Sequence, residues 1–336
     1  MISTTPPNAY EFQYDGKLKT LYGIFMRTFL LRIFTLGIYS FWGKTRLRQY
    51  FASSFQINND RFEYSGTALE LFKGFLKALV FFLLPFVVLE AGLSFFFTYL
   101  QQLDMSHTMN TIAIIGQTTI AMLPYLFIFL GVIYSRYAFF RYMSSRIQWR
   151  GIGFKLTATF SRYFLLIVKN NFMNIITLGL RIPKSDHAST QYFSNTLFLG
   201  NSHFTFDGNP KELFSINLKT LLLSIFTLGA SRFWYQAALN RYRFKHLKLG
   251  DIEFSCSQTG YQLFKLYLGN LLILALTLGF GIPIIYHRKA KLLSRSMTVI
   301  GDLNNLQIKQ TTKDKVSATG EELSGFFESD LDVAFF

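Results

Sequence analysis

Cysteine is nearly missing from this 336-residue chain: Cys256 stands alone. No intrachain disulfide can form, and thiol usage gives no sign of an oxidising compartment. Charge is scarce as well, at 16% of residues, and acids are outnumbered by Lys and Arg, 19 against 34, for a formal net charge of +15. The five histidines, His107, His187, His203, His246 and His287, have no ligand spacing such as HxxxH, so no metal is expected. The nucleophile-elbow, P-loop and dinucleotide glycine signatures are all missing. GIGFK at 151–155 follows no crossover strand and reads as a hairpin turn. These absences speak against an enzyme and against a cofactor, and no catalytic residue is assigned. No RNP, zinc-finger or helix-turn-helix pattern accompanies the positive charge, so nucleic acid is not an expected partner. The opening MISTTPPNAYEFQYDG lacks the cationic and apolar regions of a cleaved signal peptide.

Apolar residues, in contrast, make up half of the chain, with 39 phenylalanines among them. A soluble domain reaches about 45–50% only when glycine is included. The runs LVFFLLPFVVLEAGLSFFFTYL (79–100) and TIAIIGQTTIAMLPYLFIFLGVIY (111–134) each exceed the ~20 residues that cross a bilayer core as helix. Cations cluster beside the apolar runs, as cytoplasmic flanks of membrane spans do.

The chain also repeats itself. Phe12, Phe62, Phe154, Phe204 and Phe254 are spaced 50, 92, 50 and 50. A threonine-leucine-glycine follows four of them at residues 35–37, 177–179, 227–229 and 277–279. Tyr50, Tyr142, Tyr192 and Tyr242 fall twelve residues before the next phenylalanine. The expected units are 12–61, 62–153 with a 42-residue insertion, 154–203, 204–253 and 254–303. Each contains an alternating stretch such as FEYSG or FTFDG, an apolar run, and a basic aromatic stretch such as SRFWYQAALNRYRF. Turns at Asn58-Asn59, Arg150-Gly151, Gly200-Asn201, Gly250-Asp251 and Ile300-Gly301 predict short β-hairpins. Gly37, Gly179, Gly229 and Gly279 are read as helix ends in the left-handed conformation, with the threonine hydroxyl bonding back one turn. The basic stretch is expected to lie in the interface as an amphipathic helix.

The expected fold is therefore mainly α: a polytopic helical membrane protein with about six apolar spans and five degenerate 50-residue repeats, each carrying an interfacial basic helix and a short β-hairpin. The spans fall roughly at 20–42, 75–100, 110–134, 163–182, 216–235 and 261–286. Residues 1–308 form the membrane domain, and 309–336, with three lysines against six acids, an acidic tail. The 101–110 loop has no Lys or Arg, which places it outside. Strict alternation then puts 43–74, 135–162 and 236–260 in the cytoplasm and 183–215 outside. The cluster Arg288, Lys289, Lys291 and Arg295 violates that scheme. Re-entrant runs, with every hairpin cytoplasmic and joined in one sheet, are the alternative; alternation is the reading adopted.

Ionisable groups within spans are costly and mark candidate sites. Arg32 and Glu90 are the candidate intramembrane polar pair, against a plain reading in which each snorkels or pairs locally. Arg46, Arg48, Arg241 and Arg243 are candidate holders of anionic lipid headgroups, against ordinary positive-inside flanks. The adopted function is transport or permeation of a solute that the sequence does not name. The alternative is a non-transporting scaffold or anionic-lipid-binding protein that acts through its basic helices and tail. The expected partners are a bilayer containing anionic phospholipids and a protein that meets the tail.

TLGIYSFWGKTRLRQY (35–50) and RFEYSGTALELFKGFL (61–76) resemble the YjgN family of bacterial inner-membrane proteins. The resemblance is sharpest over 34–76 and 204–300, and GEELSGFFESDLDVAFF resembles that family's tail. It implies a multi-pass protein of the bacterial inner membrane and assigns no catalytic residue. Arg32 departs from the asparagine that relatives more often carry.

Overall fold

The structure, a computed structural model, describes residues 9–102, 107–303 and 308–310. Its first strand, β1 (Ala9–Tyr14), alternates half-buried and exposed positions and leads into α1 (Leu18–Phe34). The chain turns at TLG and returns through α2 (Ser40–Ser54) into β2 (Phe55–Ile57) and, across a tight turn, β3 (Asp60–Tyr64). A much longer helical hairpin follows: α3 (Ala68–Ala78), a π turn at Leu79–Leu83, α4 (Leu84–Gln102), α5 (His107–Ile120) and α6 (Leu123–Arg146). It ends in β4 (Ile147–Trp149) and β5 (Ile152–Leu156). Two further rounds give α7 (Phe160–Ile176), α8 (Ile182–Ser194), β6 (Leu197–Leu199) and β7 (Ser202–Phe206), then α9 (Lys211–Phe226), α10 (Arg232–Lys245), β8 (Leu247–Leu249) and β9 (Ile252–Cys256). A last hairpin, α11 (Gly260–Thr277) and α12 (Ile282–Ser296), runs into β10 (Met297–Ile300).

The ten strands close into one antiparallel barrel in the order β1-β10-β9-β8-β7-β6-β5-β4-β3-β2. The turns at 58–59, 150–151, 200–201 and 250–251 all lie at one end. Asn58 and Asn59 both take positive φ, +51° and +67°, as a two-residue hairpin of the right twist requires. No fifth tight turn forms at Ile300-Gly301. There β10 pairs with β1, Val299 opposite Tyr10, so the two ends of the chain close the ring. After β10 the chain crosses the turn end: the Leu303 carbonyl accepts from Arg150 Nη1 at 2.7 Å, Lys309 N donates to Asn201 Oδ1 at 2.9 Å, and Gln310 Oε1 accepts from Gly153 N at 2.8 Å. Residues 311–336, almost all of the expected acidic tail, lie outside the described residues.

This architecture corrects the expected polytopic helical protein. The hairpins are parts of a single closed barrel, and because its strands alternate in direction, every helical connection leaves the same rim. Residues 183–215 therefore share a side with 43–74, 135–162 and 236–260. The cluster Arg288 to Arg295, in α12, joins them and is no exception. Among the described residues only two helices are long and apolar enough to cross a membrane, Ala68–Gln102 and His107–Arg146, of 35 and 40 residues. The expected spans at 20–42, 163–182, 216–235 and 261–286 each contain a turn, because a leucine and a glycine in succession take positive φ there and reverse the helix. The basic stretches are the return arms α2, α8, α10 and α12, which pack on the outgoing arms and feed the barrel.

Candidate functional site: an apolar cavity inside the barrel

Alternation along a closed barrel sends every second side chain inward. Here the five spaced phenylalanines all point in. Phe12 lies opposite Ile57, Phe62 opposite Trp149, Phe154 opposite Leu199, Phe204 opposite Leu249 and Phe254 opposite Val299. These ten side chains line one cavity of about 730 Å³, inside the roughly 300–1,000 Å³ range of ligand pockets. Neighbouring rings touch: Phe12 and Phe62 have centroids 6.2 Å apart, Phe154 and Phe204 6.3 Å, Phe204 and Phe254 6.1 Å.

Away from the turn end the cavity continues between the helices. Phe140 and Met143 of α6, Phe193 of α8, Leu263 and Tyr267 of α11 and Leu293 of α12 extend its apolar wall. Along α10 the lining runs from Arg232 to Phe244, about 18 Å of helix. Arg232 is the first residue of α10, three positions past the TLG glycine, so the cavity reaches from the barrel to the base of the hairpin tips.

Three cations line this apolar space: Arg232, Arg243 and Lys289. Arg243 donates from Nε to Thr190 Oγ1 at 3.1 Å. Burial lowers the pKa of its guanidinium, and Asp186 opposes that shift. The Asp186 carboxylate accepts from Tyr235 Oη at 2.7 Å, and burial followed by this neighbouring charge raises the Tyr235 pKa. Arg136 adds a further positive charge beside Arg243. Arg232 donates to Asn217 Oδ1 at 3.0 Å and lies over the Tyr235 ring. Lys289 lies 5.6 Å from the Tyr267 ring centroid. Arg243 thus stands between one acid, Asp186, and a second base, Arg136. Among the described residues no group of three His, Cys, Asp or Glu could hold a metal ion.

The sequence candidates are dispersed across this frame. Arg243 faces the cavity, whereas Arg241, two positions away, is exposed and donates to the Gln258 carbonyl. Arg48 is buried, with its guanidinium 5.5 Å from the Phe139 ring centroid, and Arg46 is exposed. Arg32 lies exposed near the tip of the first hairpin. Glu90 lies in α4, where it accepts from Ser94 Oγ at 3.5 Å. No ion pair joins Arg32 to Glu90 among the described residues, and neither lines the cavity. Gly37, Gly179, Gly229 and Gly279 sit at the hairpin tips with φ of +94°, +83°, +84° and +93°. Sequence reasoning missed Arg232, Lys289 and the inward phenylalanine ring. The signal for the ring was there, in the fifty-residue phenylalanine spacing, but a span-based reading gave those side chains no common interior.

The family model described as "Bacterial protein of unknown function (DUF898)" matches residues 9–230 and 221–326. The chain belongs to that family. The match covers all five helical hairpins and every strand of the barrel. A 92-residue stretch, 27% of the chain, is 28% identical to the protein named "Inner membrane protein YjgN" of Salmonella typhimurium, and spans 23% of that relative's length. The resemblance to a YjgN-like family read from residues 35–50 and 61–76 is thereby shown. No solved structure matches the chain.

Proposed function

We propose that this is an inner-membrane protein that binds an anionic amphipathic molecule of the lipid class, with its acyl portion in the phenylalanine-lined barrel and its charged head at Arg243. The observation that carries the reading is the cavity itself, an apolar space with few polar groups, all three charged ones cationic. A long acyl chain gains from leaving water by about 0.8 kcal/mol per CH₂, and a carboxylate or phosphate head adds charge-assisted hydrogen bonds to a guanidinium beyond the one Arg243 makes to Thr190. The reading is one of binding without chemistry on the ligand. Inner-membrane residence is supported by the name of the YjgN relative and by the two long apolar helices. The basic return arms favour the cytoplasm for the barrel side.

Solute permeation through a polar path at Arg32 and Glu90 draws no support from this geometry, because the two residues lie apart from each other and from the cavity. The test is a fluorescence titration of the detergent-purified protein with cis-parinaric acid, an 18-carbon carboxylate, and with the matching alcohol. The wild type binds the acid more tightly than the alcohol. Arg243→Gln loses about tenfold for the acid, roughly one charge-assisted hydrogen bond, and leaves the alcohol unchanged. Val299→Trp, which fills the barrel, weakens both. Binding of the acid that is indifferent to both substitutions would place the ligand elsewhere and end this reading.

A further inference from the structure

The four TLG tips share one set of internal hydrogen bonds. In each, the glycine N–H reaches back five residues: Gly37 to the Arg32 carbonyl, Gly179 to Asn174 and Gly229 to Ser224, each at 2.8 Å, and Gly279 to Leu274 at 3.2 Å. The threonine hydroxyl then joins the two arms. It donates to the carbonyl four residues earlier, Leu31, Met173, Leu223 or Ile273, at 2.6–2.8 Å. It accepts from the N–H four residues later, that of Tyr39, Arg181, Ser231 or Gly281, at 2.8–3.3 Å. The polar groups of the turn are thus met within the turn, as lipid-exposed backbone requires and water-exposed backbone does not.

The leucine between them has the opposite character. Leu36, Leu178, Leu228 and Leu278 take φ of +48° to +50° and are 95%, 83%, 97% and 88% exposed. Each stands above a collar of exposed apolar residues, such as Leu222, Leu223, Ile225 and Phe226 below Leu228. From Leu222 to its end at Phe226 the helix rises about 6 Å before the turn that carries Leu228, against about 15 Å for one leaflet's share of the hydrocarbon core and about 30 Å for the whole. All five helical hairpins leave the same barrel rim, and the second in chain order contains the two helices long enough to cross.

We infer that the four TLG tips insert into the acyl region of the membrane leaflet nearest the barrel, as half-depth anchors beside the single crossing hairpin. The occupant of these apolar surfaces is lipid, because the long hairpin fixes which way the rim faces. The inference rests on the membrane placement proposed above. It also accounts for Arg32: one turn below a half-depth tip, a long side chain reaches back to the headgroups, which the centre of a full span would not allow.

The test uses the full chain with Cys256→Ser and single cysteines Leu36→Cys, Leu228→Cys and, as a control in the crossing helix, Val88→Cys. Each is labelled with the environment-sensitive fluorophore NBD and reconstituted into phosphatidylcholine–phosphatidylglycerol vesicles. Acyl-brominated lipids should quench both tip labels at least about twofold, with an apparent depth within one leaflet of about 15 Å, and aqueous iodide should leave them nearly unchanged. Quenching by iodide but not by bromine at the tips, with Val88 still quenched by bromine, overturns the half-depth anchors and leaves the membrane placement standing. Iodide quenching at Val88 as well overturns both. A depth at the tips beyond the bilayer midplane shows crossing and also overturns the inference.

Discussion

Leucine in the left-handed region is a strained choice, of order 1–2 kcal/mol per residue, and this chain makes it four times where asparagine or glycine would relieve it. In a tip facing water, Leu228→Asn should be neutral or stabilising. In a tip seated in lipid it should weaken membrane retention even though it relaxes the backbone. Detergent-phase partitioning measured beside thermal unfolding separates the two effects, and improved stability with unchanged partitioning would refute a lipid-seated tip. Gly229 is open on all sides, with no neighbouring atom within 4 Å of where an added methyl would sit, so Gly229→Ala should cost only the positive-φ penalty, about 1 kcal/mol, and Gly229→Val more. Equal melting temperatures for the three would show that φ is not what selects glycine there. Arg32→Leu removes a charge that touches neither the cavity nor Glu90. It should leave parinaric acid binding unchanged; a lost or altered affinity would reinstate Arg32 as part of a ligand path. At this scale much was legible. The threonine back-bond and the left-handed glycine follow from three letters, whereas the left-handed leucine does not, because nothing in its chemistry calls for that conformation.

For the elements, the difficulty was length. An apolar run of 18–20 residues satisfies the hydropathy criterion for a span, yet α1, α7, α9 and α11 cover 17, 17, 16 and 18 residues, and their lower portions pack against return arms and barrel. Window hydropathy counts residues without seeing that the lower half is buried by protein. The 42-residue insertion was visible, and its meaning, one hairpin extended until its helices reach 35 and 40 residues, became clear only beside the short ones. The spaced tyrosines also gained a role. The Tyr192 hydroxyl donates to the Thr159 carbonyl and accepts from the Thr159 N–H, both at 2.8 Å, tying the end of α8 to the start of α7. The Tyr50 hydroxyl donates to the Lys17 carbonyl at 2.9 Å in the same manner. Tyr192→Phe should therefore lower stability by about 1 kcal/mol, read from thermal unfolding in detergent, and a double substitution with Tyr50→Phe should be close to additive because the sites are far apart. A change well under half of that for Tyr192→Phe would show the clasp to be ornamental.

For the whole molecule, closure was the feature that no single stretch could announce. Four β-hairpins were visible from their turn residues, but hairpins distributed over two faces and hairpins joined in one ring produce the same local sequence. What distinguishes them is the non-local pairing, including β10 with β1 across nearly the whole chain, and the common inward direction of Phe12, Phe62, Phe154, Phe204 and Phe254. The choice of interior cation was equally hidden. Arg241 and Arg243 differ by two positions on α10, and only the placement of that helix over the barrel turns one outward and the other in. One measurement tests the closed, one-sided barrel most directly. Asn201 and Asp251 occupy equivalent exposed turns of successive hairpins. With Cys256→Ser, Asn201→Cys and Asp251→Cys are challenged with a charged, membrane-impermeant maleimide, first in intact spheroplasts and then after lysis. The closed barrel on the cytoplasmic side predicts no labelling of either before lysis and equal labelling of both afterwards. Labelling of Asn201→Cys in intact spheroplasts while Asp251→Cys waits for lysis would place successive hairpins on opposite faces and contradict the barrel.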